Sequence, residues 1–237
     1  MRTLRALWVA AVAAAALAVA VPAGAANECD GLQICVSVPG PWVVVPASTS
    51  SDRTPVEYQL TCPRGHIVGG LDARLSVRGI DVQFLGKLGS PVNPGVSTTR
   101  SAVFRGTYVG QRDRAPTFKP FIGCIPAAGG GSRVPTSVTS VAAFRPSQPI
   151  TRRTKTVRVR PGTATIVQGC AGRERLVGAA HAIGFHTPRP PDASLVSSVT
   201  GTRTIRGGRV SVTVRGDAEI GNVRAVVQVQ AVCSRVS

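Results

Sequence analysis

At 237 residues the chain has room for one large domain or two small ones, and its 26 Gly and 18 Pro interrupt it too often for long helices. Its 28 basic residues against 11 acidic ones give a formal charge of +17, which attracts anionic surfaces over long range. Of the basic residues 25 are Arg and 3 are Lys, amid much Ala, Gly, Val and Pro, a bias that high-G+C coding produces without selection for phosphate binding.

Arg2 and Arg5 precede an uncharged run from Ala6 to Val21, followed by Pro22 and the small residues Ala23, Gly24 and Ala25. A basic start, an apolar middle and a small-residue cleavage site make residues 1–25 an expected signal peptide. The alternative is an uncleaved N-terminal membrane anchor, although the run falls short of the roughly 20 residues that span a bilayer. Ala26-Asn27-Glu28 before Cys29 is not a lipobox. Export places the chain outside the cell or on its envelope and makes nucleic acid a poor partner. It also leaves Cys29, Cys35, Cys62, Cys124, Cys170 and Cys233 in a compartment where cysteines pair.

Residues 26–126 are expected to form a first β-sandwich, opened by the short loop CDGLQIC. Val56, Tyr58, Leu60 and Cys62 alternate with Glu57, Gln59 and Thr61, the period of a strand with one face on a core and one in water. GHIVGG follows at Gly65–Gly70. Ile-Val-Gly-Gly is how trypsin-like proteases commonly begin, and AAHA at 179–182 has some likeness to the segment before their histidine. A triad needs Ser, His and Asp in fixed roles, yet no Gly-Asp-Ser-Gly occurs and His181 lies far downstream of Ile67. A protease is not expected. Gly86–Arg100, GKLGSPVNPGVSTTR, reads as a turn-rich exposed loop.

Residues 127–150 are rich in Gly, Ser and Pro and read as a linker, with room for a short strand or helical turn near Val138–Phe144. The segment TRRTKTVRVR then opens a second β-sandwich over residues 151–237. Val157 and Val159 alternate with Arg158 and Arg160, the pattern of a basic edge strand. Such charge either prevents sheets from pairing edge to edge or binds anions, and the candidate anion-binding residues are Arg152, Arg153, Lys155, Arg158 and Arg160. Further on, Val210, Val212 and Val214 share a face, as do Val227, Val229, Ala231 and Cys233, with Gln228 and Gln230 on the solvent side.

The two halves repeat one pattern. Cys62 is followed by PRGHIVGG and Cys170 by AGRERLVGAA; VFRGTYVG answers TVRGDAEIG; WVVVP answers VRVRP. Cys62 to Cys124 and Cys170 to Cys233 span 62 and 63 positions. Six cysteines can pair in many ways, but symmetry favours Cys62–Cys124 and Cys170–Cys233, leaving Cys29 with Cys35. All-β architecture follows, as two tandem antiparallel sandwiches with one internal disulfide each. This arrangement resembles duplicated small exported β modules of high-G+C Gram-positive bacteria, with a Cys, a downstream Val-Gly-Gly and a closing Ala-Val-Cys strand. The resemblance implies an extracytoplasmic sandwich and supplies no catalytic residues.

Chemistry-bearing residues are sparse. His181 and His186, five apart, fall on opposite faces of a strand and make a poor metal pair, and His66 sits in a turn. Asp217 and Glu219 share a strand face and could serve as a carboxylate pair, although a solvated face with Arg215 and Arg224 nearby is the expected reading. Arg215-Gly216-Asp217 spells an adhesion tripeptide, but its counterpart Arg105-Gly106-Thr107 suggests a turn or bulge. Trp42 is the one Trp beyond the signal segment and is expected in a core. No cofactor, metal or catalytic residue is assigned. The expected function is non-catalytic association with an anionic envelope polymer or membrane surface; the alternatives are a secreted hydrolase acting on envelope polymer or lipid, and a protein-binding adhesion or inhibitor module.

Overall fold

The computed structural model describes residues 27–48, 54–86, 99–110, 115–127 and 150–235. The expected signal peptide lies outside these residues, as do 87–98 of the Gly86–Arg100 loop and 128–149 of the expected linker. Among the described residues no helix is long and apolar enough to cross a membrane.

The fold is all β. The first half contributes β1 (Val36–Pro39), β2 (Trp42–Val44), β3 (Ala47–Ser48), β4 (Val56–Thr61), β5 (His66–Leu75), β6 (Ile80–Leu85), β7 (Ser101–Val109) and β8 (Thr117–Pro126). The second contributes β9 (Ile150–Arg158), β10 (Gly162–Gly169), β11 (Glu174–His186), one helical turn α1 (Ala193–Ser197), β12 (Val199–Arg206), β13 (Arg209–Gly216) and β14 (Arg224–Arg235). Where alternation is cleanest it decides the burial. Val56, Tyr58 and Leu60 of β4 are buried, as are Val210, Val212 and Val214 of β13.

The pairing schemes of the halves match strand for strand. β7 lies between β4 and β6, as β13 lies between β10 and β12; β5 pairs with β8, as β11 pairs with β14. β1 and β2 together run along β8 as β9 runs along β14. Even the irregularity repeats, for a bulge interrupts β5 between Val68 and Gly70 and β11 between Leu176 and Gly178. This register sets Gly69 against Val177, so the Val-Gly dipeptides of the two halves are offset by one residue. The disulfides are Cys29–Cys35, Cys62–Cys124 and Cys170–Cys233, the pairing that the symmetry suggested.

The expected separation into two tandem sandwiches is modified by a shared sheet. β2 pairs with β8 on one side and with β11 on the other, so strands of both halves form a single seven-stranded sheet. Val43 faces the first core and is aligned with Gly184, whereas Phe185, aligned with Trp42, faces the second core. Successive residues of a strand point to opposite faces, so the two cores lie on opposite faces of the shared sheet. The four-stranded sheet of β3, β4, β6 and β7 covers one face, and the three-stranded sheet β10-β13-β12 covers the other.

The N-terminal disulfide loop is seated by two glycines. The carbonyl of Glu28 lies against the α-carbons of Gly70 and Gly123, which are aligned across β5 and β8, and a Cβ at either position would clash with it. The Glu28 carboxylate accepts a hydrogen bond from the Ser37 hydroxyl, and Asn27 donates its backbone N–H to Asp72 at 2.8 Å.

Candidate functional site

β9 is the edge strand expected of the basic segment, paired only with β14 among the described strands. Val157 and Val159 join the second core while Arg158 and Arg160 are exposed. The five candidate cations nevertheless do not form one patch. Alternation puts Arg152 and Arg158 on one face of β9 and Arg153 and Lys155 on the other, and Arg160 lies beyond the strand's end.

Two of the five are engaged inside the molecule. Arg152 donates to the Glu57 carboxylate at 2.6 Å, with side chains only 10% and 17% exposed, and to Gln230 Oε1 at 3.3 Å. Arg153 holds Glu174 with two nitrogens at 3.0 and 3.2 Å, a bidentate contact of the kind guanidinium favours. The backbone N–H of Ala171, and after it Arg153, hold the Glu174 carboxyl below its ordinary range. Lys155, Arg158 and Arg160 remain exposed, with no ion pair among the described residues.

Arg152 belongs to a polar seam between the halves. Gln228 and Gln230 occupy the face of β14 expected in water, yet they are 3% and 0% exposed. Gln228 Oε1 accepts the Gln59 backbone N–H at 2.7 Å, and its Nε2 donates to the Gln59 carbonyl at 3.0 Å and to Thr156 Oγ1 at 3.1 Å. Gln230 Nε2 donates to Gln228 Oε1 at 2.8 Å. Thr154 adds its hydroxyl to Gln59 Oε1 at 2.8 Å. β4 is an edge strand of its own sheet, and these amides satisfy backbone groups that would otherwise lack partners. The one sequence signal was the pair of amides at alternate positions inside an otherwise Val- and Ala-rich strand.

β11 does place the two histidines on opposite faces. His181 is aligned with the core-facing Val229 and reaches under Gly201, while His186 is exposed at the strand end beside Arg224. Burial of the His181 ring, and the partial desolvation of His186, lower their affinity for protons, and the neighbouring arginines, Arg203 for His181 and Arg224 for His186, lower it further. His66 Nδ1 is 3.2 Å from the Arg64 carbonyl. Trp42 is 5% exposed, and the Lys119 ammonium lies 5.9 Å from its ring centre.

Two expectations are corrected. Asp217 and Glu219 do not share a strand face: Asp217 precedes a 3-10 turn, Ala218–Asn222, that contains Glu219. Nor does the Arg-Gly step mark a turn or bulge, because Gly106 and Gly216 are buried within β7 and β13 and neither has positive φ. They are glycines for space. The Phe118 ring fills the place of a Cβ at Gly106, 2.6 Å away, and the Ile220 side chain does so at Gly216. Polarity of neighbouring residues cannot report this, because the contact is made by a side chain from the next element.

The groove between the halves contains a cleft of about 370 Å³ lined by Gln59, Arg100, Ser101, Thr151 and Arg152. A second, of about 150 Å³, is lined by Pro46, Pro55, His181 and Arg203. Ser101 and His181 thus line different clefts. No family model, curated protein or solved structure matches the chain.

Proposed function

We propose that the protein is exported and associates, without catalysis, with an anionic component of the cell envelope through distributed arginine charge. Three disulfides fit an oxidising compartment outside the cytosol. The carrying observation is the excess of cations over partners. Among the described residues there are three ion pairs, the third a loose 3.9 Å contact between Arg215 and Asp217, while Lys155, Arg158 and Arg160 project from the end of the shared sheet.

Charge presented on a rigid sheet attracts a polyanion at low ionic strength and loses it as the Debye length shortens to about 8 Å at physiological salt and less above it. The test is co-sedimentation of the purified protein with envelope fragments of its host across rising salt, beside a variant carrying Lys155→Gln, Arg158→Gln and Arg160→Gln. These substitutions leave the Arg152 and Arg153 ion pairs intact. Strong binding that fades with salt and weakens in the variant supports the reading; protein that stays in solution at low salt refutes it.

A further inference from the structure

β10, β13 and β12 pair in continuous register with no bulge, so their outward side chains stand in straight rows across three strands. One row is Thr165, Thr213 and Thr202; beside it lie the rows Thr163, Arg215, Thr200 and Val167, Ser211, Thr204. The last row is Gly169, Arg209 and Arg206. Of these twelve outward positions six are Thr, one is Ser and three are Arg, and none is acidic. All six threonines are exposed, while Ile166, Val210, Val212 and Val214 fill the core on the other side of the sheet.

The duplicated half supplies a comparison. The corresponding face of the first half carries the rows Glu57, Arg105, Gln83 and Gln59, Val103, Leu85. That face is used by the molecule itself: Glu57 holds Arg152, and Val103 and Leu85 in the neighbouring row are each 3% exposed. The face in the second half has neither the carboxylates nor the large aliphatic pair, and it meets solvent.

Threonine is stiff about χ1, so a sheet fixes each hydroxyl in direction and spacing. Neighbouring strands lie about 4.8 Å apart and alternate residues about 6.8 Å apart, giving a regular field of donors and acceptors. Thr165 and Thr213 already bring their hydroxyl oxygens to 3.3 Å. The cations flank this field. Arg215 and Arg209 sit at opposite ends of β13, six residues or about 20 Å apart, and Arg206 stands beside Arg209. Asp217, just past the strand, engages Arg215 only loosely, at 3.9 Å. Ordered hydroxyls suit the hydroxyls of a sugar chain, and guanidinium groups at both ends suit its carboxylates or phosphates. No aromatic residue is among the twelve outward positions, so stacking on a neutral sugar is not what this face offers.

We propose that the outer face of β10, β13 and β12 is a binding surface for an anionic polysaccharide, laid along β13 with its sugars on the threonine rows and its charges at Arg215, Arg209 and Arg206. The assignment rests on the envelope-association reading and names its ligand class and its seat.

The test measures binding of the full mature protein to polygalacturonate, with dextran as the neutral chain and phosphatidylglycerol vesicles as the lipid surface. Three proteins and one charge control are compared: wild type; a triple variant Thr165→Val, Thr202→Val, Thr213→Val, which keeps shape, strand preference and charge; and Arg209→Gln with Arg215→Gln. Arg64→Gln with Arg78→Gln, two exposed arginines elsewhere, matches the second variant in charge. Loss of three hydrogen bonds at about 1 kcal/mol each weakens binding roughly a hundredfold, and the valine variant is expected to do so with its salt dependence unchanged. The Arg209/Arg215 variant is expected to weaken binding well beyond the Arg64/Arg78 pair. Unaltered affinity in the valine variant overturns the proposal, as does binding to vesicles but not to polygalacturonate. If wild type sediments with envelope and the valine variant does so equally, this seat is wrong while the envelope reading stands. If wild type binds polygalacturonate yet ignores envelope, the seat stands and the envelope reading falls.

Discussion

The side-chain amide of Gln228 pairs with the backbone of Gln59 in both directions, accepting its N–H at 2.7 Å and donating to its carbonyl at 3.0 Å. A glutamine from the second half thus completes the edge of a sheet in the first, 169 residues away in sequence. The amide does what a neighbouring strand does elsewhere.

Gln228→Leu removes both bonds and leaves a partly buried backbone N–H and C=O without protein partners, at a cost of up to about 1–3 kcal/mol for each group left unsatisfied. Urea unfolding of the variant is expected to show a lower midpoint. It is also expected to broaden or split, because the seam that couples the halves is weakened. An unchanged midpoint would mean that water replaces the amide freely.

Arg152→Ala leaves Glu57 charged in a largely enclosed position and takes a donor from Gln230. The expected loss is about 2–4 kcal/mol, toward the range found when one partner of a buried pair is removed. Restoring neutrality with Glu57→Gln in the same chain is expected to recover part of it, which a double-mutant cycle by chemical denaturation measures. Arg153→Ala, at the more open contact with Glu174, is expected to cost much less.

The pH dependence near neutrality follows from His181. Burial disfavours the protonated ring in the folded chain, so the unfolded chain binds the proton more readily. The stability contributed by the neutral ring is therefore complete above the ordinary imidazole pKa of about 6.5 and declines as pH falls through that value. His181→Gln is expected to flatten thermal stability between about pH 7 and 5, with His186 leaving a residual slope of the same sign. Glu174, whose pKa is depressed, loses its contribution in a separate window, below the ordinary carboxylate range. A slope unaltered in the variant would remove His181 from the account.

The disulfides should differ in weight. Opening Cys62–Cys124 or Cys170–Cys233 by paired Cys→Ala releases loops with separations of 62 and 63 residues and is expected to cost roughly 4 kcal/mol each in the chain-entropy account. Cys29–Cys35 closes a separation of 6, so its removal costs less globally and acts chiefly on the segment seated against Gly70 and Gly123. Equal losses for all three would contradict the loop-length account.

The main strands and the duplication were legible in the sequence, and the symmetry of the two copies favoured the cysteine pairing that the structure shows. Each depends on local period or on spacing that two copies share: Val56-Tyr58-Leu60 alternates regardless of what covers it, and two cysteine separations of 62 and 63 carry their own symmetry. The edge position of β9 was also legible, through Val157 and Val159 set against Arg158 and Arg160. Which polar faces meet water depends on the packing of the two halves. Glu57, Gln228 and Arg152 read as solvent-facing because alternation reports only that a face is not core; whether another sheet lies across it depends on β2 joining the two halves. That single junction buried the seam, engaged Arg152 within the fold and set the two cores on opposite faces. Sequence period is a property of one strand, whereas enclosure depends on where every other strand goes.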